Sequence, residues 1–274
     1  DPTFLGALIA FAPSQPDYAV VPVDDEGMQT DRLEAILAAQ PRAKMIYTIP
    51  DNQNPTGVTL SLERRKALIA LANSHDLIVL EDTPYRHIRF AGHNLPTLKS
   101  LDTEGRVIHL GSFSKILVPG MRIGWAVANP ELLSRMGQLK VAADTQTSTL
   151  NMAAASLFLD RYDLNAHIAT LRAAYATKKE AMLDAIRRHF PQEIMATDPQ
   201  GGLFTWLTFP EGFDATEFMR HVALPQARVA YVPGATFFPL TPRANHARLN
   251  YSAPSLSAIE TGMAALGRAL HANL

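Results

Sequence analysis

The chain has 274 residues, with 25 Lys plus Arg against 26 Asp plus Glu, a formal net charge of −1. That balance argues against a nucleic-acid footprint or a polybasic membrane patch, and 47% hydrophobic with 19% charged residues is a folding rather than a disordered composition. There are no cysteines, which excludes disulfides, cysteine nucleophiles and thiolate metal sites and fits a reducing compartment, with the cytoplasm as the expected location. In chain order, Asp31 to Ala39 reads as a helix, with Asp31 as cap and Glu34 completing a capping-box-like pair. Met45 to Ile49 is a short apolar run stopped by Pro50 and reads as a buried strand. Ser61 caps a helix through about Asn73, its inner stripe Leu62, Leu68, Ile69 and Ala72. Strands are expected over Leu77 to Leu80, Arg106 to Leu110 and Ile123 to Ala128, and Pro130 opens another helix. Strands alternating with helices predict an α/β fold: a three-layer, mostly parallel sheet with helices on both faces.

The second half reads as α+β. Asn151 to Arg188 is helical with a break near Asp160 to Asp163. Leu203 to Phe209, Arg228 to Val232 and Ala247 to Tyr251 are expected strands, with a helix near Ala215 to Val222 and a last one from Ser255. A boundary near residue 178 gives a large domain, 1–178, and a smaller C-terminal α+β domain, 179–274. No internal repeat and no apolar run of membrane-spanning length occurs.

Ligands of open α/β sheets sit beyond the carboxyl ends of the strands. Three predicted strands end in polar loops: Asp51-Asn52-Gln53-Asn54-Pro55-Thr56-Gly57, Glu81-Asp82-Thr83-Pro84-Tyr85, and Gly111-Ser112-Phe113-Ser114-Lys115. Singly, each has a plain reading: Lys115 as a solvated loop lysine, Asp82 as a cap, Tyr85 as a half-buried tyrosine, Asn54 as a turn residue, Arg122 as a surface ion-pair partner. Arg248 is harder to dismiss, because it sits between apolar Ala247 and Leu249 on an expected strand. His87, His109 and His246 lack metal-ligand spacing and read as structural or surface histidines; no metal site is expected. Neither the dinucleotide nor the Walker glycine pattern occurs.

Ser112-Phe113-Ser114-Lys115 followed by Pro119-Gly120-Met121-Arg122-Ile123-Gly124, together with Asn54-Pro55-Thr56-Gly57 and Asp82 with Tyr85, resembles the signatures of the fold type I pyridoxal-phosphate (PLP) enzymes, the aspartate-aminotransferase superfamily. Gly201-Gly202-Leu203-Phe204, Val232-Pro233-Gly234 with Phe237, and Arg248-Leu249-Asn250-Tyr251 resemble the branch of the 2-aminoadipate and kynurenine transaminases and the transaminase-like halves of bacterial transcription regulators (MocR-like). The resemblance implies a PLP-dependent aminotransferase moving an amino group between an amino acid and a 2-oxo acid through a lysine Schiff base. Lys115 would carry the cofactor and move protons. Asp82 would pair with the pyridine nitrogen, and Tyr85 and Asn54 with the phenolic oxygen. Ser112, Ser114 and Arg122 would hold the phosphate, and Arg248 with Asn54 the substrate carboxylate. A homodimer is also implied. The same residues serve lyases and decarboxylases on this fold, and an effector-sensing domain of a regulator is a reading from another class.

The resemblance begins late. Family members carry roughly a hundred residues upstream, the typical size of a further structural unit. Phe4 stands where their Pro-Thr-Tyr-like turn has tyrosine, and their glycine-serine-glutamine-like phosphate loop is absent from these residues. The expectation is an N-terminally incomplete domain, a half-built phosphate cradle, weakened PLP affinity and an inactive chain on its own.

Overall fold

The computed structural model describes residues 1–274. Helix α1 (Leu5–Phe11) is followed by a hairpin of β1 (Val23–Asp24) and β2 (Gly27–Met28), and then by α2 (Thr30–Ala39). Neither α1 nor the hairpin is foreseen from sequence. The expected capping box does not form: α2 starts one residue earlier, after Gln29, and no side chain caps it. Asp31 lies in the first turn instead, where a negative charge still suits the helix dipole.

The central sheet runs β3 (Met45–Thr48), β4 (Ile78–Asp82), β5 (Val107–Ser112) and β6 (Gly124–Val127), in that order. The first three strands are parallel and β6 is antiparallel to β5, which makes the sheet mostly parallel, as expected. Strands β4 and β5 end later than the sequence suggests, so that Asp82 and Ser112 are their last residues rather than loop residues. Helix α3 (Leu62–Ser74) is capped by Ser61, whose Oγ accepts from the Arg64 amide at 3.4 Å. Its buried face is Arg65, Leu68, Ile69 and Ala72, so Arg65 takes the inner position expected of Leu62. A one-turn helix, α4 (Leu98–Leu101), precedes β5, and α5 (Pro130–Asp144) follows β6.

Helix α6 (Thr149–Arg161) breaks at Tyr162, and α7 (Leu164–His189) is restarted by Asp163, whose Oδ1 accepts from the amides of Asn165 and Ala166 at 2.8 and 3.2 Å. Helix α7 is continuous through residue 178. A second, antiparallel sheet is ordered β7 (Met195–Ala196), β8 (Phe204–Thr208), β10 (His246–Asn250) and β9 (Val232–Pro233). Between β8 and β9 lie α8 (Ala215–Phe218) and a π-helical continuation over Met219–Ala227. This helical stretch outruns the expected Ala215 to Val222. It ends on Arg228 in the left-handed region (φ 53°), so Arg228 is a helix cap and not the start of a strand. The last helix, α9 (Leu256–His271), is capped by Ser255 as expected.

Two main apolar cores result, with two smaller clusters beside them. Leu33, Leu37, Ile46, Leu68, Val79 and Val107 pack between the central sheet and its helices. Met182, Ile186, Leu207, Leu249, Ile259 and Leu266 pack between α7, α9 and the second sheet. Burial of each such side chain contributes about 1.5–3 kcal/mol. The α7–α9 contact is close enough that a Cβ on Gly267 would come within 2.3 Å of the His189 carbonyl oxygen. On the same contact, Glu260 accepts from Arg188 at 2.9 and 2.6 Å and lies 3.0 Å from His189 Nε2. The Arg188 guanidinium, then His189, holds the Glu260 carboxyl down at about 2. Its folded value lies below its unfolded one, so whatever the pair adds to stability is present above about pH 4.5 and is lost as pH falls toward 2. Arg188→Ala is expected to return the Glu260 midpoint, followed by carbon-13 NMR, close to the ordinary glutamate range. An unchanged midpoint would show that the pair does not form.

Candidate active site

The parallel strands β3, β4 and β5 deliver their carboxyl ends to one edge of the sheet, and the three polar loops meet there. Arg248 arrives from the second sheet, on β10 opposite Trp206 of β8. Its Nη1 donates to Oδ1 of Asn54 at 2.7 Å, which ties the two sheets together across the edge. The guanidinium carbon lies 4.1 Å from the ring centre of Phe204 and 5.2 Å from that of Phe237. Arg248 Nε is buried and has no hydrogen-bond partner in the protein.

The Tyr85 hydroxyl faces Arg248, Asp82 and Asn54, and its ring packs edge-on against Phe204 with centres 5.6 Å apart. Burial, and after it the Asp82 charge, raises the Tyr85 phenol well above the usual tyrosine range, so it stays a hydrogen-bond donor. Burial also raises the Asp82 carboxyl, while a hydrogen bond from Tyr47 and the nearby His109 pull it back. Lys115 is half-buried; burial first, then Arg248 and Arg122, lower its amine below the usual lysine value. Lys115, Arg248, Asn54, Tyr85 and Asp82 are therefore one cluster, each within electrostatic or hydrogen-bond reach of the next.

The remaining three expected residues are less closely joined. Ser112 Oγ accepts from the Ser114 amide at 3.0 Å, which closes the turn leading into Lys115. Arg122 is exposed, donates weakly to the Pro119 carbonyl at 3.4 Å, and makes no hydrogen bond to either serine. Its backbone is left-handed (φ 53°), an uncommon state for arginine and one that tends to be kept at functional positions.

Several supporting residues are invisible to the sequence reading. Asp51 accepts from Arg65 Nη2 at 2.8 Å and Arg86 Nη1 at 3.0 Å, and Arg89 Nη2 lies 3.6 Å away. Arg89 also donates to Gln200 Oε1 at 2.7 Å and Thr59 Oγ1 at 3.0 Å, reaching from the first half of the chain to the second. Behind it, a Cβ on Gly201 would strike the Ile88 carbonyl and the Asn52 amide at 2.3–2.7 Å, so only glycine lets these segments close. His109, read as a structural or surface histidine, is half-buried and held: Nδ1 lies 2.9 Å from Glu81 Oε2 and Nε2 3.3 Å from Thr83 Oγ1. The one available signal was Arg65 standing at helical spacing from Leu68 and Ala72. A cavity of about 600 Å³ lies on the other side of β3, lined by Val21, Leu33, Leu37 and Tyr47 among others. Neither Lys115 nor Asp82, Asn54 or Arg248 reaches it.

Comparison with known proteins gives the family. The sequence profile described as aminotransferase class I and II matches residues 13–266. Aromatic-amino-acid aminotransferase 1 of Thermococcus litoralis is 41% identical over 255 residues, covering 92% of this chain and 61% of that protein. The 2-aminoadipate transaminase of Thermus thermophilus is 38% identical, covering 98% and 68%. The HTH-type transcriptional regulator TauR of Rhodobacter capsulatus is 33% identical, covering 98% of this chain and 54% of the regulator. The crystal structure of Pyrococcus horikoshii kynurenine aminotransferase in complex with PMP superposes with a TM-score of 0.95 at 39% identity, over the whole of this chain and 68% of that one. The chain thus spans between about half and two thirds of the length of these relatives. No helix is long and apolar enough to cross a membrane.

Proposed function

Because this chain belongs to the class I and II aminotransferases, we propose that its cluster is a PLP site serving amino transfer between an amino acid and a 2-oxo acid. The observation that carries the reading is the convergence of Lys115, Asp82, Asn54, Tyr85 and Arg248, with Arg248 Nε buried and unpartnered. The donor set fits the cofactor. A buried carboxylate suits a ring cation, two neutral donors suit a phenolate oxygen, and an amine suits an aldehyde. PLP supplies an aldehyde that condenses with amines and a ring that withdraws electrons.

The chain's own groups do the rest. Lys115 holds or releases a proton at Nζ, and its lowered pKa leaves more free amine at neutral pH than an exposed lysine would have. Asp82 anchors the ring nitrogen. Tyr85 and Asn54 donate to the ring oxygen, and Arg248 offers its in-plane N–H groups to a carboxylate. Ser112, Ser114 and Arg122 would carry the phosphate, an assignment supported by the Ser112–Ser114 turn and by Arg122's proximity to Lys115. Two units, 1–178 and 179–274, are supported by the two largest cores, and a third cluster with Ile49, Tyr85, Ile168, Leu203 and Phe204 joins them. A cytoplasmic homodimer accords with the cysteine-free composition and with large apolar side chains exposed on α5 and α6, such as Leu139 at 72% and Leu150 at 76%.

The similarity to TauR supports a second reading, an effector-sensing half of a regulator. Incubating the chain with PLP and then with 2-aminoadipate, kynurenine or an aromatic amino acid separates the two. Consumption of the amino acid, with a 2-oxo acid accepting the amino group, is the enzyme result. PLP uptake without turnover favours the sensor, and no uptake by the folded chain overturns both.

A further inference from the structure

Asp82 has a second partner that the cofactor reading does not use. Tyr47 and Leu80 are register partners on parallel β3 and β4, so Tyr47 lies on the same face as Leu80 and Asp82, one diagonal step away. Its hydroxyl donates to Asp82 Oδ2 at 2.8 Å. This is the only hydrogen bond the protein gives that carboxylate, and Oδ1 receives none. The Tyr47 ring is itself fixed, packed edge-on against Phe11 of α1 with centres 5.7 Å apart at 80°. The phenol is thus aimed by packing from one side and bonded to the carboxylate on the other.

We propose that Tyr47 is a positioning residue: by donating to Oδ2 it fixes the Asp82 carboxylate and leaves Oδ1 for the ring nitrogen of the cofactor. The proposal rests on the PLP reading above and adds a residue to it. The titratable groups around Asp82 are Tyr47 on β3, Tyr85 just after β4 and His109 on β5. His109 is occupied by Glu81 and Thr83, and Glu81 in turn accepts from the amides of Leu98 and Lys99 at 2.7 and 3.0 Å. Tyr85 makes no hydrogen bond to Asp82 and its phenol stays neutral, so the influence runs the other way, from the Asp82 charge to the phenol. Tyr47 is therefore the group whose loss the carboxylate would feel most directly. Burial, with the Asp82 charge behind it, raises the Tyr47 phenol far above the usual range, so it donates at any working pH. Burial favours the neutral acid form of Asp82, and the Tyr47 hydrogen bond opposes it.

The test is Tyr47→Phe, which deletes only the hydroxyl. In the cofactor-free chain, the carbon-13 signal of the Asp82 carboxyl, assigned with Asp82→Asn, is expected to titrate about one pH unit higher in the variant. A thermal melt confirms that the variant is folded. PLP affinity, read by quenching of protein fluorescence, is expected to fall about tenfold, the same unit expressed as binding. Without any mutation, the wild-type Tyr47 ring carbon bearing oxygen should shift with the Asp82 midpoint, which keeps the test available should the variant not fold. An Asp82 midpoint unmoved in folded Tyr47→Phe, or a Tyr47 signal blind to that titration, overturns the proposal. PLP uptake by the wild type is scored separately: a shifted midpoint with no uptake overturns the cofactor reading, and the cofactor half of this proposal with it.

Discussion

Lys115→Ala is expected to lose amino transfer by at least about 10⁴-fold, and with it the borohydride-stable labelling of the chain by PLP. Lys115 is the only amine in the cluster, and no neighbour can replace it as a movable proton carrier. Asp82 is held by Tyr47, Tyr85 stays protonated, and Arg248 keeps its charge for carboxylates. Because burial, Arg248 and Arg122 lower the lysine, its reaction with an acylating reagent should have a pH midpoint below that of an ordinary lysine. The half-exposed side chain makes no hydrogen bond or ion pair in the fold, so the alanine variant should unfold within about 1 kcal/mol of the parent. Peptide mass mapping after reduction gives the answer. Adduct on another lysine at wild-type level, or turnover within tenfold of wild type, would remove Lys115 from its role.

Asp51→Ala is expected to cost about 3–5 kcal/mol in a urea melt, the effect of leaving buried charge uncompensated. Asp51 and Arg65 have fully buried side chains, and Arg86 and Arg89 converge on the same carboxylate. One anion therefore answers three cations. Carbonyl oxygens of Leu60, Pro50 and Pro96 satisfy the rest of Arg65, and that of Leu95 satisfies Arg86, but they supply no charge. Asp51→Asn keeps an acceptor and should cost less than the alanine change. A loss under about 1 kcal/mol for Asp51→Ala would mean that the arginines find other anions or water. The same carboxylate begins the loop that carries Asn54, so the variant should also loosen the Asn54–Arg248 contact.

Much of this was legible in the sequence, and the illegible parts share a cause. The apolar runs of β3 to β5 and the caps Ser61 and Ser255 announce themselves through short-range chemistry, and so do the strand-end segments carrying Asn54, Asp82 and Lys115. Asp31 looked like a cap because the residue type was right, yet the chain enters α2 at Gln29, a matter of backbone path. Arg65 broke the apolar stripe of α3 because its charge is answered by Asp51, fourteen residues away, and no local pattern shows that. Tyr47 looked like one more strand residue, since its partner lies on the neighbouring strand thirty-five residues on. The π-helical stretch ending at Arg228 likewise defeats a reading based on a period of 3.6.

The two aromatic rings beside Arg248 have a consequence for selectivity. With Phe204 and Phe237 packed near its guanidinium and Asn54 engaging Nη1, the group cannot swivel freely, and its terminal N–H groups lie in one fixed plane. Such a clamp reads shape as well as charge. A flat anion presenting two oxygens could lie in that plane against the terminal nitrogens, whereas a tetrahedral anion would match it less well. The ordering of the side chain has already been met in folding, so a planar ligand would not have to supply it on arrival.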